Sequence, residues 1–389
     1  MSSVVVSLPV WGSEYIHKWA TWSLPTLLAP GNLPAIADEF DVDLQVVTTQ
    51  DSALTIENMT ILGELRKYCT CAIRVIEPPR TPYQGMARAN YLVMKDAIEN
   101  HRIYTYSLAD MIWSGTSFSF LVRTLSASPI VMSWAGISDE LGICSGLEKF
   151  RRGFVVDVSP RDLVALVLMW PHEIQRRWTL STSQVPRALT SLIVESPAAT
   201  AAVVKSFTLG VLGVNFQAVS AARAKHYLAA LRRGVPGDHS SSMNRLLGDL
   251  SDVFFVEDSD SFLITSFDGD RPLNAEREVC PLENVDVLLR KSISRQSKIE
   301  TDVAVKFFKK SYVLRTNNTS EEWIRESVAK MDSLVPDSNG VSRVKSAIVN
   351  RWWSLPASIR ETLDTIFRKL GLYRYIFRLI RGFRPDKTV

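Results

Sequence analysis

The chain has 389 residues, of which 46% are hydrophobic and 22% charged, with a formal net charge of +4. This composition predicts a globular protein with enough apolar material for one large domain or two modest ones. Apolar runs stay below the roughly 18 residues of a membrane-spanning helix, and the four cysteines lack the spacing of a zinc site. We therefore expect a cytoplasmic protein with reduced thiols and no secretory signal.

The first part of the chain predicts a strand, a helix and a second strand. The apolar run from Val4 to Leu8 ends at Pro9, and the second run, Leu44 to Thr49, ends in polar residues. Because a βαβ crossover is right-handed, both strands end at the same edge of a parallel sheet. Ligands bind at that carboxyl edge in sheets of this kind.

Further elements alternate in the same way. We predict a helix over Ile56 to Lys67, a strand over Ala72 to Ile76, a helix over Tyr83 to Glu99 and a strand over Ile103 to Tyr106. Four β units with intervening helices favour a doubly wound α/β domain. The glycine-rich loops of dinucleotide-binding and P-loop proteins are absent from the sequence, so another kind of ligand is expected.

The polar residues at the strand ends carry a resemblance to a known family. A strand ending in Pro9, one ending before Asp51, a helix with Arg88-x-Asn90 and a strand followed by Asp110 occur in that order. This order resembles the GT-A fold of nucleotide-sugar-dependent glycosyltransferases, and it is similar to the N-terminal half of family 2-like bacterial enzymes that build surface polysaccharides. The resemblance covers roughly residues 1–135.

The resemblance implies a nucleotide-sugar donor and a set of site residues. The first strand end would hold the nucleoside, an acid after the second strand would read the base, and the following helix would approach the diphosphate. At these positions the chain has Pro9, Val10 and Glu14, then Asp51, then Arg88 and Asn90.

Asp110 is the expected metal or sugar contact, but the sequence just before it departs from the family pattern. The family has a pair of acids here that holds a divalent metal, whereas this chain reads Leu108-Ala109-Asp110. A single carboxylate holds Mn²⁺ or Mg²⁺ weakly, so metal dependence stays open. Cationic side chains such as Arg88 could neutralise the diphosphate instead.

Several of these residues also fit ordinary structural roles. Asp51 and Ser52 could cap the next helix, and Arg88 and Asn90 could be solvated residues on a helix face. His172 could be a further metal ligand, although a lone histidine at a helix end more often binds a backbone carbonyl.

An acidic segment follows a later apolar run. Val253 to Val256 leads into Glu257, Asp258 and Asp260. Asp258 or Asp260 could be the base that deprotonates an acceptor hydroxyl, and a solvated turn is the alternative.

The C-terminal tail is basic and amphipathic. Residues 351–389 contain nine Lys or Arg and three acids, a difference of +6. Residues 351–384 have helical periodicity with interleaved aromatic side chains, which predicts attachment to the inner face of the cell membrane. The alternative is a helix packed on the body of the protein.

The sequence thus predicts a GT-A-like doubly wound mixed sheet flanked by helices, with a C-terminal helical extension. We divide it into a nucleotide-sugar-binding half (1–135), an acceptor-side half of the same domain (136–271), a helical region (272–335), a linker (336–342) and a basic tail (343–389). The predicted function is transfer of a sugar to a glycan or lipid-linked glycan. A non-catalytic binding protein on a degenerate scaffold is the alternative, and nucleic-acid binding is not expected because the body is nearly neutral.

Overall fold

A computed structural model describes residues 2–176, 179, 184–186, 191–206, 209–232, 252–269, 279–281 and 307–333. The predicted linker 336–342, the basic tail 343–389 and most of the predicted helical region 272–335 lie outside the described residues.

The strands are numbered in chain order. They are β1 (Ser2–Pro9), β2 (Phe40–Thr49), β3 (Thr70–Ile76), β4 (Ile103–Tyr106), β5 (Met111–Trp113), β6 (Ile130–Ser133), β7 (Gly136–Asp139), β8 (Arg151–Arg152), β9 (Val155–Val156), β10 (Gln184–Pro186), β11 (Ser191–Glu195), β12 (Ala201–Ser206), β13 (Gly210–Asn215), β14 (Val253–Phe255), β15 (Ile264–Asp268), β16 (Val279–Pro281) and β17 (Tyr312–Arg315).

The described helices are numbered in the same way. They are α1 (Ser13–Lys18), α2 (Leu24–Leu27), α3 (Gln50–Glu57), α4 (Thr60–Leu65), α5 (Pro82–Glu99), α6 (Ser117–Ala127), α7 (Glu140–Leu147), α8 (Pro160–Met169), α9 (Glu173–Arg176), α10 (Ala221–Arg232) and α11 (Glu321–Ser333). A π-helix, Trp19–Ser23, joins α1 to α2, and single 3-10 turns form at Pro34–Ile36 and Glu148–Phe150.

A seven-stranded mixed sheet forms the centre of the fold. Its strand order is β14-β6-β13-β4-β1-β2-β3. Pairs β1–β2, β1–β4, β2–β3 and β6–β14 are parallel, and β13 runs antiparallel to both of its neighbours. The carboxyl ends of β1, β2, β3 and β4 therefore lie along one edge, as the sequence predicts.

Helices cover both faces of this sheet. The Tyr104 hydroxyl on β4 donates to Asn90 of α5, whereas a Cβ at Gly213 of β13 would lie 2.4 Å from Leu125 of α6 and 3.4 Å from Thr105. Tyr104 and Thr105 are consecutive strand residues, so their side chains point to opposite faces. Helices α5 and α6 thus lie on opposite faces, which confirms the predicted α/β sheet flanked by helices.

The amino end of the sheet is held by Arg102. Its guanidinium lies 3.0 Å from an Asp43 carboxylate oxygen and 3.2 Å from an Asp96 oxygen, and it donates to the Val4 carbonyl. Gln45 donates to both carboxylates. The three charged side chains are 13–24% exposed, so this network ties β1, β2 and α5 together with little solvent screening.

The predicted helix Ile56 to Lys67 is two helices. Helix α3 already begins at Gln50 and ends at Glu57, and α4 begins at Thr60. The Asn58 side chain donates to the Leu54 carbonyl, and Met59 is extended, with φ −75° and ψ 126°. A side chain that bonds to the last turn of a helix competes with its continuation, which explains the break.

A second, three-stranded sheet lies beside the end of β4. Strand β15 is antiparallel to β5 and parallel to β7. Phe267 and Asp268 are the last two residues of β15. This pairing brings a segment from the second half of the chain to the carboxyl edge.

Among the described helices, none is both long enough and apolar enough to cross a membrane.

Candidate functional site

The ends of β1 and β2 are joined by a short hydrogen-bond chain. The Gly12 amide donates to the Ser52 hydroxyl at 3.2 Å, and the Thr49 hydroxyl donates to the same oxygen at 3.2 Å. Gly12 has a φ of 79°, a conformation that favours glycine, and it is where the chain turns from β1 into α1. The two strand ends predicted to bind a nucleoside are therefore adjacent.

The predicted nucleoside residues differ in exposure. Pro9 and Val10 are buried, and the Val10 amide donates to the Val47 carbonyl. Glu14 is 67% exposed and Asp51 is exposed. Asp51 is not a helix cap, because α3 begins at Gln50 and Asp51 lies in its first turn.

Helix α5 places its two candidate residues differently. Arg88 is exposed and lies 3.2 Å from Glu77, the residue that follows β3. An exposed pair of this kind contributes little, so Arg88 can exchange Glu77 for another anion near the edge of the sheet. The Asn90 side-chain oxygen instead accepts hydrogen bonds from Ser7 and Tyr104, which places it against the sheet.

The loop after β4 is fixed on several sides. The Ser107 amide donates to the Ser7 carbonyl, the Ser23 hydroxyl donates to the Leu108 carbonyl, and the Trp113 indole donates to the Ser107 hydroxyl. The Asp110 carbonyl accepts from the Phe267 amide at 3.0 Å. Strand β1, the π-helix and β15 thus hold the backbone of Asp110 in place.

Asp110 belongs to a group of charged side chains that we call the Lys18 cluster: Glu14, Lys18, Asp110, Glu140 and Asp268. The Lys18 ammonium lies 2.7 Å from Glu140 and 3.0 Å from Glu14, and the side chain is only 4% exposed. Burial acts to lower the pKa of Lys18, but the hydrogen bonds and negative charges of Glu140 and Glu14 together outweigh it, so the pKa is raised. Lys18 is therefore a charged ammonium at neutral pH.

The surroundings of Asp110 disfavour its charged form. Its pKa is raised from the usual value near 3.8 to about 6, mainly by burial and also by the negative charges of Asp268 and Glu140, whereas a backbone hydrogen bond and Lys18 act to lower it. A carboxylate with a pKa close to neutrality can both accept and release a proton.

The residues present do not fit a divalent metal. Within the described ranges, no three His, Cys, Asp or Glu side chains are arranged to hold an ion. Position 108 offers the apolar side chain of leucine, and an ammonium already lies among the carboxylates around Asp110. Divalent metals require several oxygen ligands, and the bonds of Glu14 and Glu140 to Lys18 keep their oxygens from a metal.

The other predicted residues lie apart from Asp110. Asp260 forms a two-bond ion pair with Arg161, and the Asp258 side chain accepts the Ser261 amide. Strand β15 is antiparallel to β5, with Ile264 beside Trp113 and Ser266 beside Met111. Asp258 and Asp260 precede the end of β15 that lies beside Trp113, whereas Asp110 lies at the end beside Met111. His172 is buried, and its Nδ1 accepts a hydrogen bond from the Ile174 amide, whereas the predicted alternative to a metal ligand was a bond to a backbone carbonyl.

Sequence reasoning missed Lys18, Glu140 and Asp268. The four-residue spacing of Glu14 and Lys18 indicates a helical ion pair. No local signal indicates that Glu140 and Asp268 join them, because that contact depends on pairing between β15 and β7.

No family model and no curated protein matches this chain. The solved structures similar to it include S. aureus TarS, at 12% identity and a TM-score of 0.35, covering 99% of this chain and 55% of TarS. TarS 1-349 in complex with UDP has 11% identity and a TM-score of 0.34, and the match covers 100% of this chain and 94% of that one. TarS 1-349 in complex with UDP-GlcNAc has 12% identity and a TM-score of 0.33, and the match covers 97% of this chain and 85% of that one. Similarity this low carries no argument about activity.

Proposed function

We propose that this protein transfers a sugar from a nucleotide-sugar donor to a glycan or lipid-linked glycan acceptor. The observation that carries the proposal is the convergence of the ends of β1, β2 and β4 on one edge of the sheet, with Asp110 fixed there by backbone contacts. These are the positions that the resemblance to GT-A glycosyltransferases assigns to the donor. Ligands bind at this edge in doubly wound sheets.

The donor contacts follow from exposure and charge. Because Pro9 and Val10 are buried, their contribution would come from the shape of the strand end. Asp51 and Glu14 are exposed and can accept hydrogen bonds from a base or ribose. Arg88 can exchange Glu77 for a diphosphate oxygen, whereas Asn90 would act by holding α5 on the sheet.

The transfer exchanges one bond at the anomeric carbon for another. The bond from the anomeric carbon to the diphosphate oxygen breaks, and the diphosphate leaves with the electron pair. A bond to the acceptor oxygen forms, and the hydroxyl proton passes to a carboxylate. Asp110 is our first candidate for that carboxylate because of its place among the strand ends, and Asp258 and Asp260 are the others.

The first test is a thermal-shift screen of the purified protein against UDP, GDP, CMP, dTDP and their common sugars. A ligand present at about one hundred times its Kd stabilises the folded state by about 2.7 kcal/mol. We expect a shift with one nucleotide class, reduced in Asp51→Asn and unchanged in Asp41→Asn, which alters an exposed acid at the opposite end of β2. If every nucleotide leaves the melting temperature unchanged, the proposed donor binding fails.

A second candidate function is nucleotide binding without transfer. It is favoured by Leu108, which stands where the resembled enzymes have a metal-binding acid. A nucleotide-induced shift combined with no sugar transfer to any tested glycan or lipid-linked acceptor would support this function over the first.

Attachment of residues 351–384 to the inner face of the cell membrane remains a proposal, because this segment lies outside the described residues. Replacing Arg374, Arg378 and Arg381 by serine is expected to weaken binding to anionic vesicles about a hundredfold, since each basic side chain near the surface contributes about 1 kcal/mol. Zwitterionic vesicles are the control. Equal binding by both proteins in a sedimentation assay would refute membrane attachment through this tail.

A further inference from the structure

Lys18 is a buried cation among acids that come from separate elements. It is the last residue of α1, and its partners Glu14 and Glu140 belong to α1 and α7. Its ammonium also lies 5.8 Å from the centre of the Phe267 ring on β15. A buried ammonium is costly unless it is paired, so its position is fixed by these contacts.

The carboxylates around Lys18 require a positive charge. Glu140 and Asp268 both lie close enough to Asp110 for their charges to raise its pKa. Carboxylates that share a site repel unless a proton or a cation compensates them. A divalent metal is one such cation and a lysine ammonium is another.

Two observations favour the ammonium. Leu108 removes the second carboxylate that the resembled family uses to hold a metal, and the described residues offer no group of three metal ligands. The bonds from Lys18 to Glu14 and Glu140 also occupy oxygens that a metal would need.

We infer that Lys18 supplies the positive charge at this edge of the sheet, so that the protein binds the diphosphate of its donor without a divalent metal. The inference rests on the proposed function. Glu14 is 67% exposed and forms the solvent side of the cluster. A diphosphate oxygen can replace its carboxylate on Lys18, because the outer bond is weak and phosphate carries more charge.

The first experiment measures UDP binding to the full chain by calorimetry, in EDTA and in excess MnCl₂. We expect the two Kd values to agree within about threefold, a difference below 1 kcal/mol. A Kd about tenfold or more tighter in MnCl₂ would overturn the inference. If UDP and the other nucleotides bind in neither buffer, it is the proposed function that fails, and the second experiment still decides the role of Lys18.

The second experiment uses metal alone and no nucleotide. In Lys18→Met the Glu14 and Glu140 oxygens that Lys18 occupies become free, and the acids of the cluster repel one another unless a cation is bound. We therefore expect MnCl₂ to raise the melting temperature of this variant and not that of the wild type. Lys205→Met is the matched control. Lys205 is fully buried on β12 and lies 2.6 Å from Asp332, which is not a member of the Lys18 cluster, so its loss should create no response to MnCl₂.

Two outcomes would contradict the inference in this second experiment. One is a rise in the wild-type melting temperature with MnCl₂, and the other is the absence of a rise in folded Lys18→Met. If Lys18→Met does not fold, the test uses Lys18→Arg and the wild type, which both keep the positive charge at position 18. A rise in the melting temperature of either protein with MnCl₂ would then overturn the inference.

Discussion

Asp110→Asn is expected to lower the rate of sugar transfer by about 10²- to 10⁴-fold, the range for loss of a general base. Asparagine has the shape of aspartate but cannot take the acceptor proton. The backbone of this loop is held by Ser7, Ser23 and Phe267, so the substitution should leave its path unchanged. The measurement is transfer from the donor identified by thermal shift, and full activity in the variant would remove Asp110 from the site.

The stability of Asp110→Asn separates a lost function from a lost fold. The pKa of Asp110 is about 6 in the folded protein and near 3.8 in an ordinary carboxyl, so its ionisation costs stability as the pH rises through this interval. Above that interval the variant should be at least as stable as the wild type. Asp41→Asn, which makes the same change at an exposed site, should alter neither property.

The pH dependence of the transfer activity is an independent test of the role of Asp110. If the Asp110 carboxylate accepts the proton, activity should fall as the pH drops through about 6, where the group becomes protonated. An ordinary aspartate would remain charged down to about pH 4. Any residual activity of Asp110→Asn should lack this fall near pH 6. If the fall persists in the variant, it is caused by the titration of another group.

Arg102→Met is expected to lower the free energy of unfolding by about 3 kcal/mol, as when a largely buried ion pair loses one partner. The substitution removes the cation between Asp43 and Asp96 and a hydrogen bond to the Val4 carbonyl. Methionine retains much of the side-chain volume, so the loss reports mainly on charge. Urea unfolding with an unchanged m-value is the measurement.

Arg123→Met is the matched control for this result. Arg123 also pairs with a carboxylate, Glu39, but both side chains are about half exposed, and we expect a loss below about 1 kcal/mol. Adding Asp43→Asn to Arg102→Met should recover part of the stability by removing an uncompensated charge. Equal losses for Arg102→Met and Arg123→Met would show that burial does not set the strength of these pairs.

The central sheet could be predicted in part because its signals are local. The strand Ile103–Tyr106 and the long helix α5 follow from short apolar runs and from helical periodicity, and both are confirmed within a residue. The break between α3 and α4 was not predicted, since it depends on how one asparagine side chain bonds. Strand β13 was also missed, because its residues pair with strands that are distant in sequence.

The candidate site could also be predicted from the sequence only in part. The strand ends that form the edge were predicted from residues close together in sequence, and the hydrogen bond between Gly12 and Ser52 confirms that two of them meet. The ion pair between Lys18 and Glu140 joins residues that are far apart in sequence, on α1 and α7. Such a contact follows from topology, which a single sequence does not encode locally.

The position of β13 also determines the order in which the chain can complete its sheet during synthesis. Strands β4 and β6 are not neighbours, because β13 lies between them. Until residue 215 has left the ribosome, each therefore presents an unpaired edge to other chains. The protein thus spends part of its synthesis with the edges of β4 and β6 that will face β13 open to aggregation, and slower translation between β6 and β13 would lengthen that exposure.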